Sequence, residues 1–172
     1  MLFRSPREGN GWSFHYCRRQ WSLKNNGMLK YQWLNDFDEA MVKLSKSHEI
    51  FKQRMADLLP MKAPEQMLAF YRKGLVFVFN FHFENSLNNV LIPVPNAGEY
   101  TVVLSSDEEK YGGFGNVQMQ TYATKEFDGR QFIELYIPAR TCFVLEEKIA
   151  EPEKKAKKTA AKKTTKKAAA AE

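Results

Sequence analysis

Hydrophobic and polar positions divide this chain into a helical segment and a longer strand-rich segment. Leu34, Phe37, Met41 and Leu44 recur at spacings of three and four residues, with polar residues between them. This pattern predicts an amphipathic helix with one apolar stripe.

A second helix is predicted after Ser47, with Phe51, Met55 and Leu58 facing inward. It must end before Pro60, because proline lacks the backbone N–H that an interior helical position needs.

Beyond residue 64 the apolar residues begin to alternate, which is typical of strands. In residues 74–84, every second side chain from Leu75 to Phe83 is apolar, and the opposite face also starts apolar, as in a central strand. Further strands are predicted at residues 90–94, 100–104, 117–122, 132–137 and 141–145. Short strands separated by turn residues at this density predict an antiparallel all-β sandwich.

Charge is concentrated at one end of the chain. The net charge is +6, but residues 151–172 hold eight Lys and three Glu, which leaves +1 for residues 1–150. Residues 151–172 include no aromatic or branched aliphatic residue to bury, so we predict that the segment 149–172 is a disordered basic tail. Such a tail could bind nucleic acid only unspecifically, because it offers no side chain that reads or stacks on bases.

Several protein classes are excluded by pattern or length. No apolar run approaches the roughly 18 residues of a membrane span, and the N-terminus lacks a signal-peptide core. Cys17 and Cys142 do not have the spacing of a metal site or a disulfide framework. Together these features lead us to expect no membrane partner, no metal, no cofactor and a cytoplasmic location. A complete (β/α)8 barrel needs about 200–250 residues, more than this chain of 172 can provide.

The remaining chemistry-bearing residues have ordinary structural interpretations. His15 and His82 lack convergent partners and are predicted to be structural, and His48 is placed on the surface at a helix start. The acidic run 107–109 lacks the spacing of a calcium loop and is interpreted as a solvated turn. Trp12 and its neighbouring aromatics could either stack on sugar rings or pack into a core, and the packing role is preferred.

Long runs of this sequence resemble one enzyme family. Residues 6–21, PREGNGWSFHYCRRQW, are similar to the "PREGN…SYHYARRQW" run of the 1,4-α-glucan branching enzymes, members of glycoside hydrolase family 13. Residues 29–38 resemble the family's "LKYKYLNNFD". In the β-region the similar runs are residues 74–82 ("GLLFVFNFH"), 97–107 ("PGKYKIVLDSD"), 111–115 ("FGGHG") and 136–141 ("YIPSRT").

The resemblance implies a three-part organisation. Residues 1–62 would be the last loop and helix of a (β/α)8 barrel, residues 63–148 the α-amylase-type all-β C-terminal domain, and residues 149–172 the tail. The family's reaction moves an α-1,4-glucan segment to a 6-hydroxyl by retaining double displacement. Its three catalytic carboxyl groups lie upstream of the "PREGN" loop, and no counterpart occurs here, so we expect a C-terminal fragment that is inactive alone.

The implied contacts follow from the same resemblance. Arg7, Glu8, Asn10 and Trp12 are candidate substrate-loop residues, because their loop would lie at the face of the barrel where the active site forms. The expected partners are α-glucans, such as glycogen or amylose-like chains, and a catalytic barrel if another chain supplies it. The alternative is a stand-alone, non-catalytic glucan-binding β-sandwich.

Overall fold

The computed structural model describes residues 21–59 and 62–148. Its two α-helices are α1, Trp21–Lys24, and α2, Tyr31–Ser47. Helix α2 contains the whole stripe predicted from Leu34 to Leu44, which confirms that element. Short 3-10 turns lie at Ile50–Lys52, Ala63–Glu65 and Glu109–Tyr111.

Nine strands in the described residues form two antiparallel sheets. The larger sheet has the order β1-β2-β3-β9-β5-β6 and the smaller one β4-β8-β7. Their bounds are β1, Asp57–Leu58; β2, Met67–Arg72; β3, Leu75–Asn80; β4, Leu87–Val94; β5, Glu99–Ser105; β6, Thr121–Ala123; β7, Lys125–Phe127; β8, Arg130–Ile137; and β9, Thr141–Lys148.

The main hydrophobic core lies between the two sheets. Val76 and Val78 of β3 and Phe143 of β9 meet Ile133 and Leu135 of β8, and all five side chains are buried. Residues two apart along a strand share a face, so each sheet supplies one apolar face to this core. The predicted antiparallel sandwich is confirmed.

Strand β2 is not predicted from the sequence, because its six residues include no β-branched side chain. It joins β3 through Lys73 and Gly74, whose φ angles are +54° and +77°. Positive φ at both central residues defines the two-residue turn that suits a twisted hairpin, and it sets the register of Arg72 opposite Leu75. The outer face of β2 presents Phe70, which stacks on Phe77 of β3 with ring centroids 4.6 Å apart.

Helix α2 covers part of the outer face of the larger sheet. Phe37 and Leu44 pack against Leu75 of β3 and Val144 of β9 in a second, smaller apolar cluster. Phe37 also meets Tyr111 edge-to-face at 5.2 Å, an arrangement that aromatic pairs favour. The larger sheet therefore carries apolar residues on both faces.

The prediction of a second helix is wrong. Only a 3-10 turn follows Ser47, and Phe51, Met55 and Leu58 are exposed rather than inward-facing. The end of this segment instead forms strand β1, which pairs with β2, and Leu58 lies opposite Phe70 in the sheet register. Tertiary pairing has overridden a helical spacing that is too short to form a helix on its own.

Two strands have other bounds than the sequence predicts. Strand β3 stops at Asn80, so Phe81 and Phe83 lie beyond it and are exposed. The strand predicted at residues 117–122 is reduced to Thr121–Ala123. Neither α-helix of residues 21–59 and 62–148 has the length and apolar content of a membrane-spanning helix. The predicted tail lies outside the described part of the chain.

The phenol of Tyr71 gives the sandwich a predicted sensitivity to alkaline pH. Burial, together with the hydrogen bond that the hydroxyl donates to Glu147 Oε2 at 2.9 Å, raises the pKa of Tyr71 from 10.0 to about 12. Burial and the nearby Glu147 charge also raise the pKa of Tyr100. From pH 10 to pH 12 the unfolded chain releases the Tyr71 proton while the folded chain retains it, so stability must fall across this window.

We expect Tyr71→Phe to reduce this alkaline loss of stability without abolishing it, because Tyr100 contributes as well. At neutral pH the variant should lose only about 1 kcal/mol, the usual contribution of one hydrogen bond. Thermal denaturation of both proteins across pH 7–12 measures the difference. Tyr31→Phe, which removes the hydroxyl of an exposed residue, is the matched control. Parallel stability curves for wild type and Tyr71→Phe would contradict the assignment.

Candidate functional site

The sequence predicts four substrate-loop residues. These four lie outside the described residues: Arg7, Glu8, Asn10 and Trp12. His15 and Tyr16 lie outside as well. Trp21 begins α1 with much of its ring exposed and the Lys24 ammonium 6.0 Å from the ring centroid. The roles predicted for the first four residues stay predictions.

A groove of about 650 Å³ opens at the end of the sandwich where β3 and β5 finish and β9 begins. Its walls come from the β3–β4 loop, the β5–β6 loop and the β8–β9 turn. Four sequence stretches singled out in the β-region meet around this end: residues 80–82, 105–107, 111–115 and 136–141. Segments far apart in the sequence thus build one concave surface, which is the candidate site.

The first wall is held by two side chains at the end of β3. Asn80 is buried, donates to the carbonyl oxygens of Asn85 (2.9 Å) and Ile137 (3.3 Å), and accepts the His82 N–H (2.9 Å). The Nδ1 atom of His82 accepts the N–H groups of Glu84 and Asn85 at 3.1 and 2.9 Å. The imidazole therefore stabilises the β3–β4 loop, which confirms the structural role predicted for His82.

The second wall is organised by Asp107. Its side chain is only 4% exposed, and its two carboxyl oxygens accept the N–H groups of Phe114 (3.1 Å) and Val117 (2.9 Å). Its own carbonyl accepts the Gly115 N–H at 2.7 Å. The interpretation of this residue as part of a solvated turn is wrong. Asp107 is a buried anchor for the loop after β5, because a carboxylate can satisfy two backbone donors at once.

At two glycines of this loop, an added Cβ atom would overlap a neighbouring group. A Cβ on Gly113 would lie 2.2 Å from the carbonyl carbon and oxygen of Asp107, and one on Gly112 would lie 2.3 Å from the Trp33 ring. Gly112 also has φ +82°, which favours glycine. The loop is therefore fixed against both its own backbone and helix α2.

A third set of contacts ties the walls together. Two hydrogen bonds join Ser106 and Cys142. The Ser106 N–H donates to the Cys142 carbonyl oxygen (2.8 Å), and the Cys142 N–H donates to Ser106 Oγ (3.0 Å). In the β8–β9 turn, Arg140 donates its N–H to the His82 carbonyl at 3.0 Å, and Ala139 donates to Ser86 Oγ at 3.1 Å. These hydrogen bonds join the three segments that form the groove.

Charged side chains flank the second wall. Glu108 accepts the Ser105 N–H at 3.3 Å and forms an ion pair with Lys110. The hydrogen bond to Glu108 raises the pKa of the Lys110 ammonium. In the described part of the chain, no three His, Cys, Asp or Glu side chains are grouped as metal ligands would be. The groove presents aromatic rings and hydrogen-bonding groups, which is the chemistry of a binding site.

A second concavity lies between α2 and the outer face of the larger sheet. This apolar cavity has a volume of about 200 Å³ and is bordered by Met41 and Leu44 of α2, Phe70 of β2 and Phe77 and Phe79 of β3. Nearby, Leu34, Met41 and Val42 of α2 and Phe51 remain exposed. One side of the molecule is therefore markedly apolar and incompletely covered.

His48 also differs from its prediction. It follows the C-terminal end of α2 rather than a helix start, and its Nε2 atom lies 3.4 Å from Glu146 Oε1 of β9. The histidine side chain is mostly buried there. It links the end of the helix to the sheet.

The chain is similar to known proteins over most of its length. A model of the family described as "Alpha amylase, C-terminal all-beta domain" matches residues 61–148. The 1,4-alpha-glucan-branching enzyme of Yarrowia lipolytica is 38% identical over 155 residues, which are 87% of this chain and 22% of that enzyme. Those of Candida glabrata and Eremothecium gossypii are 36% and 37% identical over 84% and 81% of the chain, and 21% of each enzyme. The chain thus spans about a fifth of the length of these curated relatives.

Proposed function

Because the chain belongs to the family of alpha amylase C-terminal all-beta domains, we propose that it is the C-terminal part of a 1,4-alpha-glucan-branching enzyme. The similarity to three such enzymes at 36–38% identity over more than four-fifths of the chain carries this proposal. The similarity runs beyond the residues of the family model, so it includes sequence on the N-terminal side of the sandwich. A stand-alone glucan-binding sandwich is less favoured for that reason.

The apolar side of the structure fits a domain that packs against a larger body. Leu34, Met41 and Val42 of α2, with Phe51 and Leu58 after it, expose large apolar side chains on one region of the chain. Exposed apolar surface of this kind marks an interaction site in a soluble protein. We propose that residues 1–62 hold the last elements of a catalytic barrel and then strand β1, which joins the sheet of the β-domain, and that residues 63–148 are the rest of that domain.

The proposed reaction transfers an α-1,4-glucan segment to a 6-hydroxyl and creates an α-1,6 branch. Retaining chemistry of this type needs two carboxyl groups about 5 Å apart, one acting as nucleophile and the other as acid and then base. We assign these groups to the barrel, and the present chain supplies the β-domain and the last barrel elements. The substrate-loop roles of Arg7, Glu8, Asn10 and Trp12 are part of this proposal, as is a cytoplasmic location.

A chimera tests the proposal. The matching segment of the Yarrowia lipolytica enzyme is replaced by this chain, and branching is followed by the appearance of α-1,6 linkages in amylose by nuclear magnetic resonance. We expect the chimera to branch amylose, whereas the relative truncated before this segment and the present chain alone should not. A chimera that folds with the relative's melting behaviour and yet forms no branches would refute the assignment.

A further inference from the structure

We propose that the groove at the end of the sandwich is a non-catalytic binding site for a linear α-1,4-glucan chain. The choice of glucan rests on the proposed function, whereas the existence of a sugar-binding site rests on the groove itself. Its volume, about 650 Å³, lies within the range of roughly 300–1,000 Å³ that small-molecule sites occupy.

Exposed aromatic rings line this groove. Phe83 is 62% exposed and Phe114 is 79% exposed, and Tyr136 at the end of β8 is also accessible. The C–H face of a pyranose ring is apolar, so it gains free energy when it covers an aromatic face. Three accessible rings on one concave surface can follow successive glucose units.

Phe83 is held as a platform rather than as a loose side chain. The His82 imidazole stacks on it with ring centroids 5.2 Å apart and planes 7° apart. That imidazole is itself fixed by two backbone N–H groups of the same loop. A ring whose orientation is already fixed loses little conformational entropy when a ligand stacks on it.

Polar side chains around the rings can hydrogen-bond to sugar hydroxyls. Glu84, Asn116 and Arg140 are exposed and line the groove, which gives a carboxyl acceptor, an amide and a guanidinium donor. Arg140 takes φ +55°, a conformation unusual for arginine that persists where surrounding contacts impose it. Its N–H bond to the His82 carbonyl provides such a contact.

Phe114 distinguishes this chain from the run that residues 111–115 resemble. That run has a histidine at the position of Phe114. The ring is almost fully exposed, although its backbone N–H is bound to the buried Asp107 carboxyl group. An exposed apolar ring does not stabilise the core. A ligand bound in the groove would cover the Phe114 ring.

The test measures binding of maltoheptaose to the full chain by isothermal titration calorimetry. We expect saturable binding that Phe114→Ala weakens about tenfold, the loss produced by removing roughly 1.4 kcal/mol of apolar contact. Phe83→Ala should weaken it similarly. Phe127→Ala is the matched control, because Phe127 is also a largely exposed phenylalanine and lies on β7 outside the groove. Cellohexaose, a β-1,4-linked glucan, should bind at least tenfold more weakly than maltoheptaose.

Two results would overturn this proposal. One is the absence of maltoheptaose binding by folded chain, with folding verified by circular dichroism. The other is binding that Phe114→Ala and Phe83→Ala leave unchanged. Branching by the chimera is measured separately. If the chimera is active and the groove does not bind maltoheptaose, only the groove site is refuted. If the groove binds maltoheptaose and the chimera is inactive, only the assignment as part of a branching enzyme is refuted.

Discussion

Gly113→Ala is expected to lower the free energy of unfolding by about 3–4 kcal/mol, which is among the larger effects a single substitution can have. The added Cβ would lie 2.2 Å from the carbonyl carbon and oxygen of Asp107 and 2.4 Å from its Cα atom. All three are backbone atoms, so no side chain can rotate to relieve the overlap. The loop after β5 must move as a unit, and with it the contacts of Asp107.

Gly27→Ala is the matched control for Gly113→Ala. A Cβ on Gly27 would have no neighbour within 4 Å, so the same chemical change should leave stability nearly unaltered. Chemical denaturation of wild type and both variants measures the two effects. Equal midpoints for Gly113→Ala and wild type would mean that the loop does not pack as the structure describes.

A third glycine separates crowding from backbone strain. Gly129 has φ +68°, and a Cβ added there would have no neighbour within 4 Å, so alanine should cost only about 1 kcal/mol of backbone strain. A loss at Gly113 clearly larger than at Gly129 would therefore come from close packing.

The sandwich could be predicted because short apolar strands follow one another with turn residues between them. Val76 and Val78 face the core between the sheets, while Leu75 and Phe77 face the helix. Strand β2 lacks the β-branched residues that help to mark β3 as a strand, so its sequence gives a weaker strand signal. The helix predicted after Ser47 does not form, because its spacing covers few residues and Leu58 pairs with β2 instead, which leaves Phe51 exposed.

The groove could be predicted from sequence only in part. The runs around residues 80–82 and 111–115 stood out by resemblance, but nothing local showed that they would meet at one end of the fold. Asp107 was the clearest failure. An acidic residue followed by two glutamates in a turn normally faces water, and its burial depends on N–H groups seven and ten residues further along the chain. Only the closed loop brings those donors to the carboxyl group.

Asp107→Ala is expected to destabilise the protein by about 3 kcal/mol. The Phe114 and Val117 N–H groups would lose their acceptor, and a buried donor left without one costs roughly 1–3 kcal/mol. The residue is only 4% exposed, so water cannot readily replace the carboxyl oxygens. Because Phe114 is attached to the released segment, maltoheptaose affinity should fall as well.

Two further substitutions make the reason for the Asp107 effect testable. Glu109→Ala removes a neighbouring exposed carboxyl group and should change stability by less than about 0.5 kcal/mol. Asp107→Asn keeps the size of the side chain but replaces one acceptor oxygen with an NH₂ donor that faces a backbone N–H, so it should lose nearly as much stability as alanine. Urea denaturation compares all three variants. If Asp107→Asn retained wild-type stability, the two-acceptor role of the carboxyl group would be wrong, and the loop would depend on packing at Gly113 rather than on Asp107.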